Sequence, residues 1–406
     1  MIIGITGSVG KTSTREAIFA VLKNKYRVRR AEKNYNNEIG LPLTILGIPH
    51  HGRNILGWIY ALIRANKRIV WRTLYPEVLV LEYGVDHPGD MDYLLSIVKP
   101  NIAVVTAVGD VPVHVEFFSD PAELIKEKSK LIASLASAGY AVLNHDDYAV
   151  LGMKEKTRAR IMTYGTEEHA TFKITDYILS ITKDEKGNDV PAGTSFKVQY
   201  GGDLVPVSLR DTFGMPQAYA ATAAAAVGLI LNMNLVEISE ALREYNPPVG
   251  RLRLIKGIKS SLILDDTYNA SPEAMWAALE VLKALPGKRK IVVLGDMLEL
   301  GRFTEQAHRT VGGKAAQFVD LLFCVGARAK FIAEEASLKL NPTRIFKFDS
   351  SEEAGRALDP LIREGDLILV KGSQAIRMEK AIFEIMAEPL LAGKLLVRQE
   401  ISWKIK

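Results

Sequence analysis

The strongest constraint on this chain is a glycine-rich turn between a buried strand and a helix at its start. Residues 2–6 are typical of a short buried strand, and residues 7–10 form a turn without bulky side chains. Lys11 and Thr12 then open a predicted helix that ends near residue 23. Together these parts form a phosphate cradle, in which backbone N–H groups face the anion, Lys11 supplies a positive charge and the Thr12 hydroxyl can bind Mg²⁺. We therefore expect one continuous run to bind phosphates: Gly7, Ser8, Val9, Gly10, Lys11, Thr12 and Ser13.

This turn is shorter than the full P-loop pattern. The first glycine of that pattern would fall at Ile5, and Gly4 is one position away. A turn that carries Gly-Lys-Thr without binding phosphate is the alternative. The flanking strand and helix provide the context that a phosphate-binding loop requires, and they favour the functional interpretation.

Composition places the chain among globular proteins. With 406 residues, we expect two or three domains with large cores. The 52 basic and 47 acidic residues give a net charge of +5, which is too mild to indicate a nucleic-acid partner. A single cysteine, Cys324, excludes an internal disulfide framework. We expect no signal peptide, because the phosphate strand begins at residue 2, and no uncharged run reaches the roughly 18–20 apolar residues of a membrane span. The expected location is therefore cytoplasmic.

Apolar strand runs alternate with helical patterns, which predicts an α/β protein with mostly parallel sheets. The clearest boundary is Asn246-Pro-Pro-Val-Gly250, so we expect a central ATPase domain over residues 1–248 and a Rossmann-like domain over residues 249–406. The first domain has predicted strands at 78–82, 101–106 and 141–144 and a hairpin-rich part at 160–210. The second has five predicted strands, at 261–266, 290–295, 321–325, 344–348 and 367–370, separated by helices such as 272–285 and 373–386.

Several polar residues follow these strands. Glu82 ends an apolar run, and a carboxylate at that edge of a parallel sheet is placed to act as a Mg²⁺ ligand. A solvated strand end is the alternative. His114 follows the next strand, and a lone histidine is more often structural. The helix after it, predicted from Pro121 to about Ser137, carries Lys126, Lys128 and Lys130, among which spacing alone selects none.

Taken in order, the motifs resemble the Mur ligase family, and within it the MurF-like branch that adds D-alanyl-D-alanine. Each motif is weak alone, whereas the complete series is specific. The resemblance covers nearly all of residues 1–150 and 211–390, and it rests on residues 6–12, 36–42, 82–84, 114–116, the helix around Lys128, and residues 249–251, 265–272, 294–301 and 371–373.

The resemblance implies an ATP-dependent amide ligase. In this family ATP phosphorylates a substrate carboxylate, an amine attacks the acyl phosphate, and phosphate leaves. Phosphoryl transfer of this kind needs charge neutralisation and alignment more than acid–base chemistry, and Lys11 with two Mg²⁺ ions would provide it. The partners would be a small-molecule or peptide-precursor substrate with a free carboxylate and an amine donor. The enzyme itself is expected to be a monomer.

The resemblance also assigns roles to individual residues. Thr12 and Glu82 would hold the first Mg²⁺, and His114 with a carbamylated lysine would hold the second. The family lysine lies fourteen residues after its histidine, which selects Lys128. A carbamate formed from CO₂ gives that lysine an oxygen ligand of the kind that Mg²⁺ prefers. Arg251 would reach the γ-phosphate, and three residues of the last domain would meet the nucleotide: Asp266, Tyr268 and Asn269.

Three features depart from the family pattern. No domain for the UDP end of the substrate precedes the phosphate strand, so we expect that domain to be absent. Pro216-Gln217 and Ala220 stand where the family has His-Asn and a further Asn. Residues 49–76 read as an insertion. Alternatives to a MurF-like ligase are therefore a Mur-type ligase of a UDP-free substrate, such as a polyglutamate, folate or secondary peptide, and a regulatory partner that only binds nucleotide.

The insertion contains an unusual basic and apolar stretch, residues 53–76, with five basic residues and no acidic one. Its apolar residues recur roughly at helical spacing, with Trp58 and Trp71 as amphipathic anchors. A helix packed on the ligase itself is the plainer interpretation. The second is a peripheral helix that holds the enzyme or its substrate at the inner surface of the cytoplasmic membrane.

Overall fold

The computed structural model describes residues 1–31, 35–49, 51–52, 54–70, 75–112, 114–400 and 403, without the side chains of residues 64 and 67–70. The strands are β1 (Ile2–Thr6), β2 (Val28–Arg30), β3 (Val78–Glu82), β4 (Ile102–Val105), β5 (Tyr140–Asn144), β6 (Arg160–Gly165), β7 (Phe172–Lys183), β8 (Asp189–Tyr200), β9 (Asp203–Arg210), β10 (Arg253–Lys256), β11 (Leu262–Asp266), β12 (Arg289–Gly295), β13 (Leu321–Val325), β14 (Ile345–Phe348) and β15 (Asp366–Lys371). The helices are α1 (Lys11–Leu22), α2 (Gly40–Leu46), α3 (Ile55–Val70), α4 (Asp90–Ile97), α5 (Pro121–Ala133), α6 (Tyr148–Gly152), α7 (Met215–Ile230), α8 (Leu235–Leu242), α9 (Pro272–Ala284), α10 (Thr304–Ala315), α11 (Lys330–Ala336), α12 (Ser351–Leu358), α13 (Glu379–Ile385) and α14 (Ala392–Leu395).

The first sheet has nine strands in the order β2-β3-β1-β4-β5-β6-β7-β8-β9. Pairing is parallel from β2 to β7, and the last strands form antiparallel hairpins. The central strands are continuous apolar runs because helices cover both faces of the sheet. Helices α1, α7 and α8 contribute to the core on one face, and α4 and α5 to the core on the other. This arrangement confirms the predicted α/β class and the hairpin-rich part at 160–210.

The second sheet has six strands in the order β10-β11-β15-β12-β13-β14. The five predicted strands are present and parallel, which confirms a Rossmann-like arrangement. Cys324 is buried in β13. The antiparallel edge strand β10 was not predicted, because only Leu254 and Ile255 are apolar in its four residues. The division into domains at residue 248 stays a prediction.

Two predicted helices differ from the structure. The helix predicted over 373–386 begins only at Glu379, because Arg377 adopts a left-handed conformation with φ of 59°. Residues 374–376 before it form a separate turn of 3₁₀-helix. The helix that begins at Pro121 ends at Ala133 rather than near residue 137, and a chain reversal then leads into β5.

The insertion contains one helix, α3, which lies against α2. Ala61 and Ala65 form a small apolar cluster with Leu43 and Ile48. The helix is thus packed on the ligase, as the plainer interpretation has it, although Ile59 is 49% exposed. Within the described residues, no helix has the length and apolar character needed to cross a membrane. Arg53, Trp71 and Arg72 of the predicted stretch lie outside the described residues.

Candidate active site

The glycine turn after β1 is fastened to the end of the neighbouring strand β4. The backbone N–H groups of Ser8 and Val9 donate to the carbonyl of Ala107, at 2.7 and 3.1 Å. A side chain on Gly7 would lie 2.0 Å from the Thr106 hydroxyl, and Gly7 has a φ of 141°, so only glycine fits there. A protein carbonyl thus accepts from the Ser8 and Val9 amides in this arrangement, and their role as phosphate donors stays a prediction.

The start of α1 remains available to an anion. Its N-cap residue is Gly10, with φ of 92° and no side-chain cap. The first N–H groups of a helix have no partner within the helix, and the helix dipole favours negative charge at that end. The Ser8 hydroxyl oxygen is also buried and has no hydrogen-bond partner among the described residues. An orphaned polar atom beside an uncapped helix fits a phosphate group.

Lys11 lies over this turn and donates a hydrogen bond of 2.6 Å to the carbonyl of Gly7. Burial lowers the pKa of Lys11, whereas the charges of Glu82 and Asp86 act in the opposite direction and Arg251 lowers the pKa further. No ion pair joins Lys11 to another described residue. Its ammonium is thus placed to move from a carbonyl of its own loop to an incoming phosphate.

Glu82 is 1% exposed at the end of β3 and faces α1. One carboxylate oxygen lies 2.9 Å from the Arg15 guanidinium, and the other accepts from the Thr12 hydroxyl at 3.4 Å. The structure therefore brings together Thr12 and Glu82, the residues predicted for the first Mg²⁺. A metal at Glu82 would share this carboxylate with Arg15, which the sequence reasoning missed because Arg15 reads as a surface position of α1.

His114 has a left-handed backbone with φ of 72° and bridges two parts of the chain. Its Nε2 lies 3.4 Å from Asp86 in the loop after β3, and its Nδ1 lies 2.7 Å from Glu299 in the loop after β12. The hydrogen bond with His114 lowers the pKa of Glu299. Asp86 and Glu299 were not predicted as site residues, because each follows a turn signal and only the fold brings them to His114.

Lys128 is 1% exposed within α5. Burial, with the nearby charge of Lys11, lowers its pKa to about 7 although Asp86 and Glu127 act in the opposite direction. No hydrogen bond or ion pair connects its ammonium to another described residue. Lys126 is exposed, and Lys130 pairs with Asp92 at 2.6 Å. Of the three lysines, Lys128 is thus the buried one, which agrees with its selection by family resemblance.

The residues predicted to meet the nucleotide from the last domain lie near the predicted boundary at residues 246–250. The Arg251 guanidinium is 4.2 Å from the centre of the Tyr268 ring. Asp266 pairs with Lys371 at 2.6 Å and accepts from the backbone N–H of Leu252 at 3.2 Å. Asp266 is therefore already neutralised within its own domain, whereas Arg251 has only its aromatic contact among the charges and rings of the described residues.

A cavity of about 200 Å³ lies beside the glycine turn. Its walls come from the turn and the loop after β4, from the start of α7 and from α9: Val9, Gly10, Thr14, Ala107, Val108, Pro216, Tyr219, Ala220, Glu273 and Ala277. Pro216 and Ala220 contribute apolar surface where the family pattern has amide or imidazole groups. The Tyr219 hydroxyl donates to Asp146 at 2.7 Å, which fixes the ring in the cavity wall. The Gln217 amide does not line this cavity but bonds Tyr245 and the Arg251 carbonyl.

Comparisons with known proteins agree with this geometry. Family models match the Mur ligase middle domain over residues 5–56 and 70–228, and the Mur ligase glutamate ligase domain over residues 250–374. The chain belongs to the Mur ligase family. Residues 57–69, which the middle-domain match leaves out, fall within the predicted insertion.

Relatives of this Mur ligase include enzymes with a named activity. The chain is 29% identical to the UDP-N-acetylmuramoyl-tripeptide–D-alanyl-D-alanine ligase of Bacillus subtilis over 396 residues, which cover 96% of this chain and 76% of the relative. It is 28% identical to the ligase of the same name from Escherichia coli, covering 94% and 76%.

Solved structures of MurF show the same fold. MurF from Acinetobacter baumannii superposes with a TM-score of 0.76 at 26% identity, covering 94% of this chain and 75% of that one. MurF from Thermotoga maritima in complex with ADP superposes with a TM-score of 0.75 at 27% identity, covering 95% and 79%. The resemblance found in the sequence is thereby confirmed, and this Mur ligase is an ATP-dependent, ADP-forming peptide ligase.

Proposed function

We propose that this Mur ligase adds a dipeptide, D-alanyl-D-alanine or a close analogue, to the carboxylate of a cell-wall peptide precursor. The observation that carries the proposal is the meeting of an uncapped helix N-terminus, Lys11 and the Thr12–Glu82 pair at one edge of the first sheet. The relatives with this activity, similar over 94–96% of the chain, support the choice of substrates.

The chain's residues would act by aligning and neutralising phosphates. Bound ATP supplies the phosphoryl group that activates the acceptor carboxylate. Lys11 would move from the Gly7 carbonyl to the phosphates, which need positive charge during transfer. Arg251 would reach the γ-phosphate from the hinge, with its direction set by the face of Tyr268. Asp266, Tyr268 and Asn269 would approach the nucleotide from the last domain.

We propose two Mg²⁺ sites. Thr12 and Glu82 would hold the first ion, and His114 and carbamylated Lys128 the second. Within the described residues, no group of three or more His, Cys, Asp and Glu side chains is arranged so that it could hold a metal ion by itself. The ions would therefore rely on phosphate oxygens, the Thr12 hydroxyl and the carbamate, which are the oxygen ligands that Mg²⁺ prefers.

The environment of Lys128 supports carbamylation. Only a neutral amine attacks CO₂, and a pKa of about 7 leaves much of the buried amine neutral near pH 7. Carbamylation would also exchange a positive charge near Lys11 for a negative one. The repulsion between the charges of Lys11 and Lys128 would then be replaced by attraction between the Lys11 ammonium and the carbamate.

The acceptor would bind in a groove of about 650 Å³ formed by the loop before α2 and the loop after β3. These loops are held together by the backbone N–H of Gly84, which donates to the carbonyl of Asn36 at 2.8 Å. Leu94 adds apolar surface, and the other side chains in the groove are polar and offer both acceptors and donors of hydrogen bonds: Asn36, Asn37, Glu38, Asp86, His87, Asp90 and Tyr93. Asp86 lines this groove and contacts His114, so the groove opens next to the second proposed metal site.

The adenine would occupy the cavity between α7 and α9. Pro216, Tyr219 and Ala220 would hold it by apolar contact rather than by the side-chain hydrogen bonds of the family pattern.

We further propose that the chain has two domains, 1–248 and 249–406, with an insertion at about 49–76. The enzyme would act as a cytoplasmic monomer and contact the inner membrane surface through residues 53–76.

A panel of acceptors tests the proposed function. The purified protein is incubated with ATP, Mg²⁺ and D-alanyl-D-alanine, together with UDP-linked tripeptide, UDP-free tripeptide or a folate-type acceptor. Mass spectrometry should show the dipeptide added to the UDP-linked tripeptide, with one ADP formed per product. Product only from a UDP-free acceptor would overturn the proposed substrate. ADP formation that no amine or acceptor stimulates would overturn ligation itself.

A further inference from the structure

Helix α3 carries a dense group of exposed apolar side chains. Six large residues within nine positions are between 49% and 77% exposed: Ile55, Leu56, Ile59, Tyr60, Leu62 and Ile63. Single exposed apolar side chains are normal on soluble proteins, whereas contiguous apolar patches mark interaction surfaces. Residues 55, 59 and 63 follow a spacing of four, which aligns them along one side of the helix.

A different side of α3 attaches it to the ligase. Ala61 and Ala65, also spaced by four, are 2% and 6% exposed and pack against α2. Trp58 packs against the same cluster, and its ring N–H donates to the Gly52 carbonyl at 3.0 Å. Small residues thus bring α3 close to the enzyme, and the larger apolar residues point elsewhere. The exposed side is a second face of a helix that is already packed.

Charge distinguishes the possible occupants of this face. The sequence of α3 includes Arg64, Lys67 and Arg68 and no acidic residue. Helices that lie in the plane of a membrane combine an apolar face with basic residues, which attract anionic lipids. Sixteen residues span only about 24 Å, which is less than the roughly 30 Å of a bilayer core. The helix can therefore lie on such a surface but not cross it.

We infer that α3 docks the enzyme on the surface of an anionic lipid bilayer, with its exposed apolar residues inserted among the lipids and its net positive charge attracting the anionic headgroups. This inference deepens the membrane contact of the proposed function by naming the helix, the face and the lipid charge. It does not depend on ligation, which is measured separately. Because α2 is only about 10 Å long and begins two residues after Glu38, docking also keeps the acceptor groove near the bilayer.

Vesicle co-sedimentation of the full chain tests the inference at low and high salt. Vesicles of phosphatidylglycerol with phosphatidylcholine should bind the protein, and vesicles of phosphatidylcholine alone should bind at least tenfold more weakly. Ile59→Glu with Ile63→Glu should weaken binding to the anionic vesicles at least tenfold. The matched control is Leu338→Glu with Leu390→Glu, which changes two leucines that are 74% and 101% exposed elsewhere and should alter binding less than twofold.

A second pair of variants tests the charge. Changing Arg64, Lys67 and Arg68 to Gln should weaken anionic binding at least tenfold and remove its salt dependence. The same change at Lys154, Lys156 and Arg158, which are exposed elsewhere, alters net charge equally and should change binding less than threefold. Unchanged ATP turnover without vesicles shows that each variant is folded.

Three results would overturn the inference. The first is no binding to anionic vesicles at low salt. The second is equal loss of binding in the α3 variants and their controls. The third is a dimer in light scattering that Ile59→Glu with Ile63→Glu dissociates while vesicle binding is absent, because a second copy of the chain would then cover this face.

Discussion

Two lysines stand at corresponding edges of the two sheets, the half-buried Lys11 and the buried Lys371, and their surroundings differ. Lys371 ends β15, is 1% exposed, pairs with Asp266 at 2.6 Å and donates to the Asn269 carbonyl at 2.9 Å. Lys11 follows β1 and donates to the Gly7 carbonyl, without a counter-charge at ion-pair distance among the described residues. Burial lowers the pKa of both. The second sheet thus neutralises its own charge, whereas the first presents a charge that a ligand can complete.

Lys128 extends the contrast. It lies in α5, which packs on one face of the first sheet, and it is as buried as Lys371. Its ammonium has no hydrogen-bond or ion-pair partner among the described residues. A buried amine without a partner is costly to the folded state, so its presence here indicates a role that folding does not explain. Of these three lysines, the two without a counter-charge among the described residues thus lie on the side of the first sheet, and we expect the second sheet to close on it.

The largest expected effect is on Lys11. Lys11→Ala should lower ATP turnover more than about 1,000-fold, equivalent to roughly 4 kcal/mol of barrier, because no other described ammonium lies over the glycine turn. Thermal unfolding should be unchanged or shifted upward, since a partly desolvated charge is removed. Turnover that stays within tenfold of the parent protein would show that the phosphates are not bound there.

Lys371→Met provides the opposite case. It should lower the free energy of unfolding in urea by about 3–5 kcal/mol, because Asp266 would be left buried without its partner. Adding Asp266→Asn should restore part of that loss by removing the unpaired charge. A Lys371→Met protein with unchanged stability, and with activity lost as completely as in Lys11→Ala, would erase the distinction between the two sheets.

Lys128→Ala should lower ligation about 100-fold, with short carboxylic acids or high bicarbonate restoring part of it by supplying an oxygen ligand. Lys126→Ala and Lys130→Ala, on the same helix, are the matched controls and should retain activity.

Because burial lowers the pKa of Lys128 to about 7, carbamate should form increasingly as pH rises through 7 rather than through the ordinary lysine pKa of 10.5. Labelling with ¹³C-bicarbonate and NMR measures it. Full activity of Lys128→Ala, with no labelled carbamate, would refute the modification.

The smallest expected effect concerns the contact between the two domains. Glu299→Gln should raise the KM for ATP less than about tenfold, because it weakens only the contact with His114 at 2.7 Å. The pKa of Glu299 is lowered, so this contact stabilises the protein at pH values above the ordinary carboxyl pKa. The stabilisation is lost as pH falls through the pKa of Glu299 in the folded protein.

Small-angle scattering should show closure about residues 246–251 on adding ATP and Mg²⁺, less complete in the Glu299→Gln variant. Identical dimensions with and without ligand would contradict closure.

Sequence patterns predicted the elements that depend on local signals. The apolar runs of β1, β3 and β4 and the Gly-Lys-Thr turn gave the first sheet and its phosphate edge, since continuous apolar strands and glycine turns are local properties. The helix predicted over 373–386 was placed too early because nothing in the sequence indicates that Arg377 adopts a left-handed conformation.

The missed site residues depend on the fold. Asp86 follows a glycine turn and reads as a loop residue, yet it lies beside His114 and contributes to the charge around Lys11 and Lys128. Arg15 reads as an exposed position of a helix, yet it is 4% exposed and pairs with Glu82. These contacts join segments that are far apart in the sequence, and no spacing rule indicates them.

Hydrogen–deuterium exchange with and without ATP and Mg²⁺ tests most directly whether the first sheet binds the phosphates. The account predicts that exchange slows at least tenfold in residues 7–14, with smaller changes in residues 266–270 and little in residues 366–373, where Lys371 already has its partners. Lys11→Ala should abolish the protection of residues 7–14. Protection confined to residues 366–373, with residues 7–14 unchanged by nucleotide, would contradict the account.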